Sequence, residues 1–199
     1  MKNQIAKAAT QVLSGKTSFV LVGQHHVAPP RVIFPGSFNP LHEGHREIAS
    51  IAERTVGGPM FYEMSIVNVD KPTLGLNDVL QRADQFNSGE TLAITRAMTF
   101  EEKALLFPGA IFAVGVDTLT RIGNPRYYET QGNDAAEKLM QRAIKTLEDQ
   151  CCRILVFGRK IGGKFCGLAN ISLPANLQRL CQEISESQFR SDISSSDLR

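Results

Sequence analysis

The chain contains no tryptophan and only three tyrosines. No apolar run approaches the ~20 residues that a membrane-spanning helix needs, which excludes insertion by that route. Charge of one sign is not in excess either: 22 Lys and Arg against 20 Asp and Glu leave a net charge of +2. That balance gives no electrostatic reason to expect nucleic acid or an anionic membrane as a partner. Cysteine is sparse, and Cys151, Cys152, Cys166 and Cys181 form no C-x-x-C pair. Reduced, structural thiols are therefore expected in place of a metal site. The opening Met1-Lys2-Asn3-Gln4-Ile5-Ala6-Lys7 lacks the apolar core of a signal peptide, so a cytoplasmic location is expected, with the nucleus also open. Internal repeats and low-complexity blocks are missing as well.

What is present reads as an ordinary globular protein. A hydrophobic fraction of 42% can bury a real core, and 199 residues fit one domain, or one domain plus a small appendage. The sequence divides into an N-terminal helix-and-strand extension, residues 1–30, and a main domain, residues 31–199. In the extension Ile5, Ala8, Ala9, Val12 and Leu13 recur at helical spacing, and Ser18 to Gly23 reads as a strand. His25 and His26 lie in a Pro-bounded linker, where adjacent histidines are normally just solvated, and no role is assigned to them.

From residue 31 onward, strands alternate with helices. Strands are expected at residues 31–35, 60–69, 91–95, 110–116 and 153–158. Helices are expected from the turn after the first strand to about Arg54, near 78–86, and at 99–106, 134–150 and 175–182. The third of these is marked by Thr99 with Glu102 three residues on, a capping box. The nearly continuous apolar run from Ala110 to Val116 suits a strand buried on both faces. The pattern predicts an α/β fold, a doubly wound (Rossmann-like), mostly parallel sheet of about five strands flanked by helices, with right-handed crossovers. Ligands bind such sheets beyond the carboxyl ends of the strands, where the strand order reverses. Unusual polar residues follow two strands, the first (Gly36 to His45) and the fourth (Gly115, Asp117), so these two are expected to flank the reversal.

The first of those stretches is the most informative in the chain: Pro35-Gly36-Ser37-Phe38-Asn39-Pro40-Leu41-His42-Glu43-Gly44-His45. Gly36 lets the backbone bend tightly and lets a ligand come close. Pro40 suits the first turn of a helix, where its missing N–H has no partner to lose. A helix N-terminus carries free N–H groups and a partial positive charge, a natural seat for phosphate. His42 and His45 are three apart, share a helix face and point back toward the turn. A zinc site is disfavoured, because zinc-protease helices space their histidines four apart and no third ligand is evident.

The string G-S-F-N-P-x-H-x-G-H resembles the signature of the HxGH nucleotidyltransferase superfamily, closest to the nicotinamide mononucleotide (NMN) adenylyltransferase-like proteins. Near the other end, Ile193-Ser194-Ser195-Ser196-Asp197-Leu198-Arg199 resembles the superfamily's ISSTxIR element. There the serines and helix-start amides bind a triphosphate, and the arginine neutralises its distal charge. Gly115-Val116-Asp117-Thr118-Leu119 is similar to the G-x-D-x-L stretch whose carboxylate accepts from nucleotide hydroxyls. Phe157-Gly158-Arg159 also fits the family. Two features depart from it. The tryptophan that commonly sandwiches the nicotinamide is missing, leaving Tyr127 and Tyr128 as the nearest substitutes. The segment from Glu63 to Pro72 looks more like a divergent branch of NMN-adenylyltransferase-like proteins, as does the stretch beginning Thr95-Arg96-Ala97-Met98.

The resemblance implies adenylyl transfer from ATP to NMN or nicotinate mononucleotide, with release of pyrophosphate and no covalent enzyme intermediate. His42, His45 and Arg199 are then the catalytic set. Gly36, Ser37, Phe38, Gly115, Asp117, Ser194 and Ser195 are assigned to the nucleotide, and Lys71, Arg96, Tyr127 and Arg159 to the acceptor. Mg²⁺ is expected on the triphosphate, with few protein ligands. Two other readings stay open. One exchanges ATP for CTP, or NMN for another phosphomonoester. The other is a non-catalytic nucleotide sensor, against which the intact His42, His45 and Arg199 argue. Small molecules are the expected partners, and the sequence does not decide between a monomer and a homo-oligomer.

Overall fold

The first helix, α1 (Lys2–Leu13), buries Ile5, Ala9 and Val12 along one stripe, as their spacing requires. After it comes Gly15 in the left-handed region, at φ 73°. Strand β1 (Phe19–Gly23) then pairs antiparallel with β4 (Thr91–Thr95), so these first elements belong to the edge of the main sheet and its core. This computed structural model describes residues 2–23, 31–68, 72–128, 133–161 and 163–189.

The next elements are β2 (Val32–Pro35), α2 (Glu43–Val56), β3 (Met60–Ser65), α3 (Leu76–Ala83), β4 and α4 (Phe100–Leu106). They are followed by β5 (Ile111–Gly115), α5 (Val116–Ile122), a 3-10 turn (Pro125–Tyr128) and α6 (Asn133–Asp149). The chain continues through β6 (Arg153–Phe157), the hairpin β7 (Arg159–Ile161) and β8 (Lys164–Cys166), α7 (Ala175–Gln178) and β9 (Cys181–Ile184). The main sheet has seven strands in the order β1-β4-β3-β2-β5-β6-β9, parallel throughout except for β1. From β2 the chain builds outward through β3 and β4. It then returns to lay β5 against the other side of β2, with Ile33 opposite Phe112. The strand order therefore reverses between β2 and β5, the two strands the polar residues single out.

Each sheet face is covered. On one, Ala9 of α1, Ala52 of α2 and Val79 of α3 pack with Phe34, Tyr62, Met64 and Leu155 of the strands. On the other, Ala104 of α4, Leu119 of α5 and Met140 of α6 pack with Phe61, Phe112 and Val156. Helix α2 buries Ala49, Ile51 and Ala52 along one stripe, and Gly57 closes the helix at φ 69° with its N–H on the Glu53 carbonyl.

The structure corrects several boundaries. The sheet has seven strands in place of about five, because β1 joins its edge and β9 stands where the second half of a helix over 175–182 is expected. That helix stops at Gln178, and the chain then extends to pair with β6. Strand β3 ends at Ser65, not at residue 69, and α3 runs over Leu76–Ala83 in place of 78–86. Helix α5 starts directly at the end of β5, so Asp117 lies in the first turn of a helix.

Candidate active site

The site grows from the end of β2. The Gly36 N–H donates to the Glu63 carbonyl (2.9 Å), which ties the end of β2 to β3. The tight turn is not made by Gly36. Phe38 takes the left-handed conformation, with φ 44°, which is unusual and strained for a bulky residue. Its ring is fully buried and packs edge-on against Phe34, Tyr62 and Phe86 at centroid distances of 5.7, 5.4 and 5.3 Å. Gly36 is needed for another reason. A Cβ there would lie 2.7 Å from the Phe38 ring, so glycine makes room for the ring to fold back. Phe38 is thus a wall of the site rather than a surface open to a nucleotide.

The helix also begins later than its proline implies. The Asn39–Pro40 bond is cis, Pro40 lies in a turn, and α2 starts at Glu43 with His42 as its N-cap residue. The two imidazoles do share a face. Their centroids are 3.8 Å apart, with the planes inclined at 34°. The His42 N–H donates to His45 Nδ1 (3.2 Å). A ring nitrogen that accepts carries no hydrogen, so the proton of neutral His45 resides on Nε2, which is left as a donor. Phe38 and Phe34 flank His45 at 5.3 and 5.9 Å. Burial, reinforced by His42 and Arg46, pushes the His45 pKa down to about 4, and burial lowers that of His42 as well. At neutral pH the two imidazoles carry no fixed positive charge.

This has a measurable consequence. A histidine whose pKa is lower in the folded than in the unfolded chain makes unfolding more favourable as it gains a proton. The contribution of His45 is fully present above its ordinary pKa of 6.5 and is lost as pH falls from 6.5 to about 4. Urea unfolding of wild type and His45→Gln across that window is expected to show a falling stability in wild type that the variant largely lacks.

Across the reversal, β5 and β6 end side by side, with Gly115 opposite Phe157. Two residues beyond each, Asp117 and Arg159 form an ion pair between Asp117 Oδ2 and an Arg159 guanidinium nitrogen. Both side chains are about half exposed, where such a pair contributes only ~0–1 kcal/mol to stability. The structure thus brings together two residues that the sequence singles out separately.

The other expected site residues lie elsewhere or outside the described residues. The Arg96 guanidinium donates to the Val12 and Leu13 carbonyls (3.3 Å each), a cation at the C-terminal end of α1. Tyr127 lies in the 3-10 turn after α5, its ring 5.5 Å beneath the Arg121 guanidinium. Ser37 is exposed in the turn, and its carbonyl accepts from Arg82 (3.0 Å). Lys71, Ser194, Ser195 and Arg199 lie outside the described residues.

Sequence reasoning misses two groups. On the face of the sheet covered by α4, Lys103 of α4 donates to both carboxylate oxygens of Glu63 (2.9 and 2.8 Å) and to the Ala97 carbonyl (2.7 Å). Thr95 completes the set, its hydroxyl 2.5 Å from Glu63, and all three side chains are buried. Beside the turn, Gln85 holds the Phe38 carbonyl (3.0 Å) and the Leu41 N–H (2.8 Å). Strand-like Met60–Ser65 with a charge at its centre is the one sequence signal for the first group; nothing local marks the second.

An imidazole pair beyond the end of β2 and an Asp–Arg pair beyond the ends of β5 and β6 flank the strand reversal, the place where doubly wound sheets bind ligands. Residues 33–199 match the family model described as cytidylyltransferase-like, and the chain belongs to that family within the HxGH nucleotidyltransferases. It is accordingly a nucleotidyltransferase, with nucleotides among its small-molecule substrates. A search among curated proteins returns no match to the chain. Among the described residues no helix is long and apolar enough to cross a membrane.

Proposed function

We propose that the protein transfers AMP from ATP to NMN or nicotinate mononucleotide and releases pyrophosphate. The observation that carries this reading is the hydrogen bond from the His42 N–H to His45 Nδ1, which leaves Nε2 as the ring's donor at the strand reversal. In the reaction an oxygen of the acceptor phosphate forms a bond to the α-phosphorus. The bond from that phosphorus to the bridging oxygen breaks, and the electron pair leaves with pyrophosphate. Such a transfer needs alignment and charge stabilisation, with no covalent step at a side chain.

His42 and His45 are assigned to the α- and β-phosphates, where they stabilise the charge that develops. Ser37, Ser194, Ser195 and Arg199 hold the distal phosphates. Asp117 accepts from a ribose hydroxyl once Arg159 swings to the acceptor, and Lys71 neutralises the acceptor phosphate. Mg²⁺ arrives on the triphosphate as part of the substrate. The choice of NMN rests on the similarity of Gly115-Val116-Asp117-Thr118-Leu119 to the corresponding stretch of NMN adenylyltransferases.

A second reading keeps the chemistry and changes the substrates to CTP, or to another phosphomonoester. It is favoured by the lack of tryptophan and by the position of Tyr127 under Arg121, away from the strand ends. Incubation with ATP or CTP, Mg²⁺ and a panel of phosphomonoesters separates the two. Pyrophosphate release is expected with ATP and NMN or its acid form. Release only with CTP or with another acceptor supports the second reading. Nucleotide binding without release on any acceptor contradicts both.

A further inference from the structure

The Ser37–Leu41 turn that carries the histidines into place is not held by its own backbone. Among the described residues, the backbone hydrogen bonds nearest to it are those of the Gly36 N–H on one side and the His42 carbonyl on the other. What holds it comes from the end of α3 and the loop after it, more than 40 residues along the chain. Gln85 Oε1 accepts from the Leu41 N–H (2.8 Å), while Gln85 Nε2 donates to the Phe38 carbonyl (3.0 Å). Arg82 donates to the Ser37 carbonyl (3.0 Å). Three main-chain groups of a five-residue turn are thus fixed by two side chains.

The attachment is itself braced. Arg46, the residue after His45, donates to the Gln85 carbonyl (3.1 Å) and pairs with Glu90 (3.3 Å). Glu90 also accepts from the buried Tyr62 hydroxyl (3.3 Å) and from the Asn87 N–H (2.6 Å). The clamp grips the carbonyl of Phe38, the residue in the left-handed conformation. A strained residue of this kind persists only where its surroundings over-determine it. Burial of the ring supplies one constraint and the Gln85 amide the other.

We infer that Gln85 is a positioning residue for nucleotidyl transfer: its side-chain amide fixes the turn that aims His42 and His45 at the phosphates. It touches no substrate and acts through the backbone of Phe38 and Leu41. Arg82 reinforces it at Ser37. Only a side chain with both a donor and an acceptor at that reach can serve both contacts, which singles out glutamine. The inference rests on the proposed transfer for its kinetic consequence, but the geometry it describes does not depend on which acceptor is used.

The test uses two full-length variants, Gln85→Met, which keeps the length and removes both hydrogen bonds, and Gln85→Glu, which keeps the acceptor toward Leu41 alone. Both are checked for folding by circular dichroism. In Gln85→Met, kcat is expected to fall by roughly 10²-fold, the scale of a 1 Å misplacement, with a smaller change in KM for ATP. Gln85→Glu is expected to fall between wild type and Gln85→Met.

A second readout needs no turnover: NMR titration of the His45 imidazole. In wild type it is expected near 4, and in Gln85→Met it moves up toward 6.5 as water reaches the ring. Folded Gln85→Met with wild-type kcat and an unmoved His45 titration overturns the inference. If wild type transfers nothing to any acceptor, the proposed function falls. The His45 titration then still decides the clamp.

Discussion

Replacement of His45 by alanine is expected to lower kcat/KM for nucleotidyl transfer by on the order of 10²-fold or more, the cost of removing one preorganised donor to developing charge. The fold is expected to survive. His45 is partly buried at the start of a 14-residue helix, and its side-chain bond from the His42 N–H is of the capping kind that contributes ~1 kcal/mol. The loss should appear mainly in kcat, because the Nε2–H matters most once charge has accumulated on the phosphates. Steady-state kinetics on a variant with wild-type circular dichroism decides it. An unchanged rate would remove His45 from the chemistry.

The second large effect concerns the buried ion pair of Glu63 and Lys103. Lys103→Met leaves the Glu63 carboxylate buried with Thr95 as its remaining side-chain partner. An uncompensated charge of this kind typically costs 3–5 kcal/mol, about as much as many whole core substitutions. For a chain of this size that corresponds to a fall in Tm on the order of 10 °C. The double replacement Glu63→Gln with Lys103→Met removes the charge together with its partner, so it should recover much of the loss. Thermal unfolding of the three proteins checks this, and a single variant as stable as wild type would show the pair to be dispensable. The matter reaches the site because Glu63 also holds the Gly36 N–H through its main chain. The ion pair braces β3, the strand to which the end of β2 and so the histidine turn are tied.

The parts of this molecule that could be read from the sequence are those set by local pattern. Apolar β2 and β5 announce themselves, and the polar residues after them identify the strand reversal, because a doubly wound sheet gives such residues only one productive place. The Thr99–Glu102 box marks α4, and the Glu102 N–H does donate to the Thr99 hydroxyl (3.2 Å).

Other features depend on partners distant in sequence. Strand β9 has only Ile184 fully buried, and Gln182 and Glu183 face outward, so its four residues carry no strand period. It is a strand because β6 offers an edge. Pro40 favours a helix start by local chemistry, yet the clamp from Gln85 and Arg82 shapes the turn and delays the helix to Glu43. Likewise the left-handed residue is Phe38 rather than the nearby glycine, held there by a buried aromatic cluster and by the Gln85 amide on its carbonyl. Glu63 and Lys103 lie 40 residues apart, and nothing in either segment points to the other.

The central claim is that two neutral imidazoles at the reversal receive the nucleotide's phosphates. The most direct measurement is a titration of the wild-type protein with MgATP, following the side-chain nitrogen signals of His42 and His45 by NMR. Both Nε2 signals are expected to shift together and to saturate with one binding isotherm. Saturable MgATP binding that leaves both imidazoles unmoved would contradict the account.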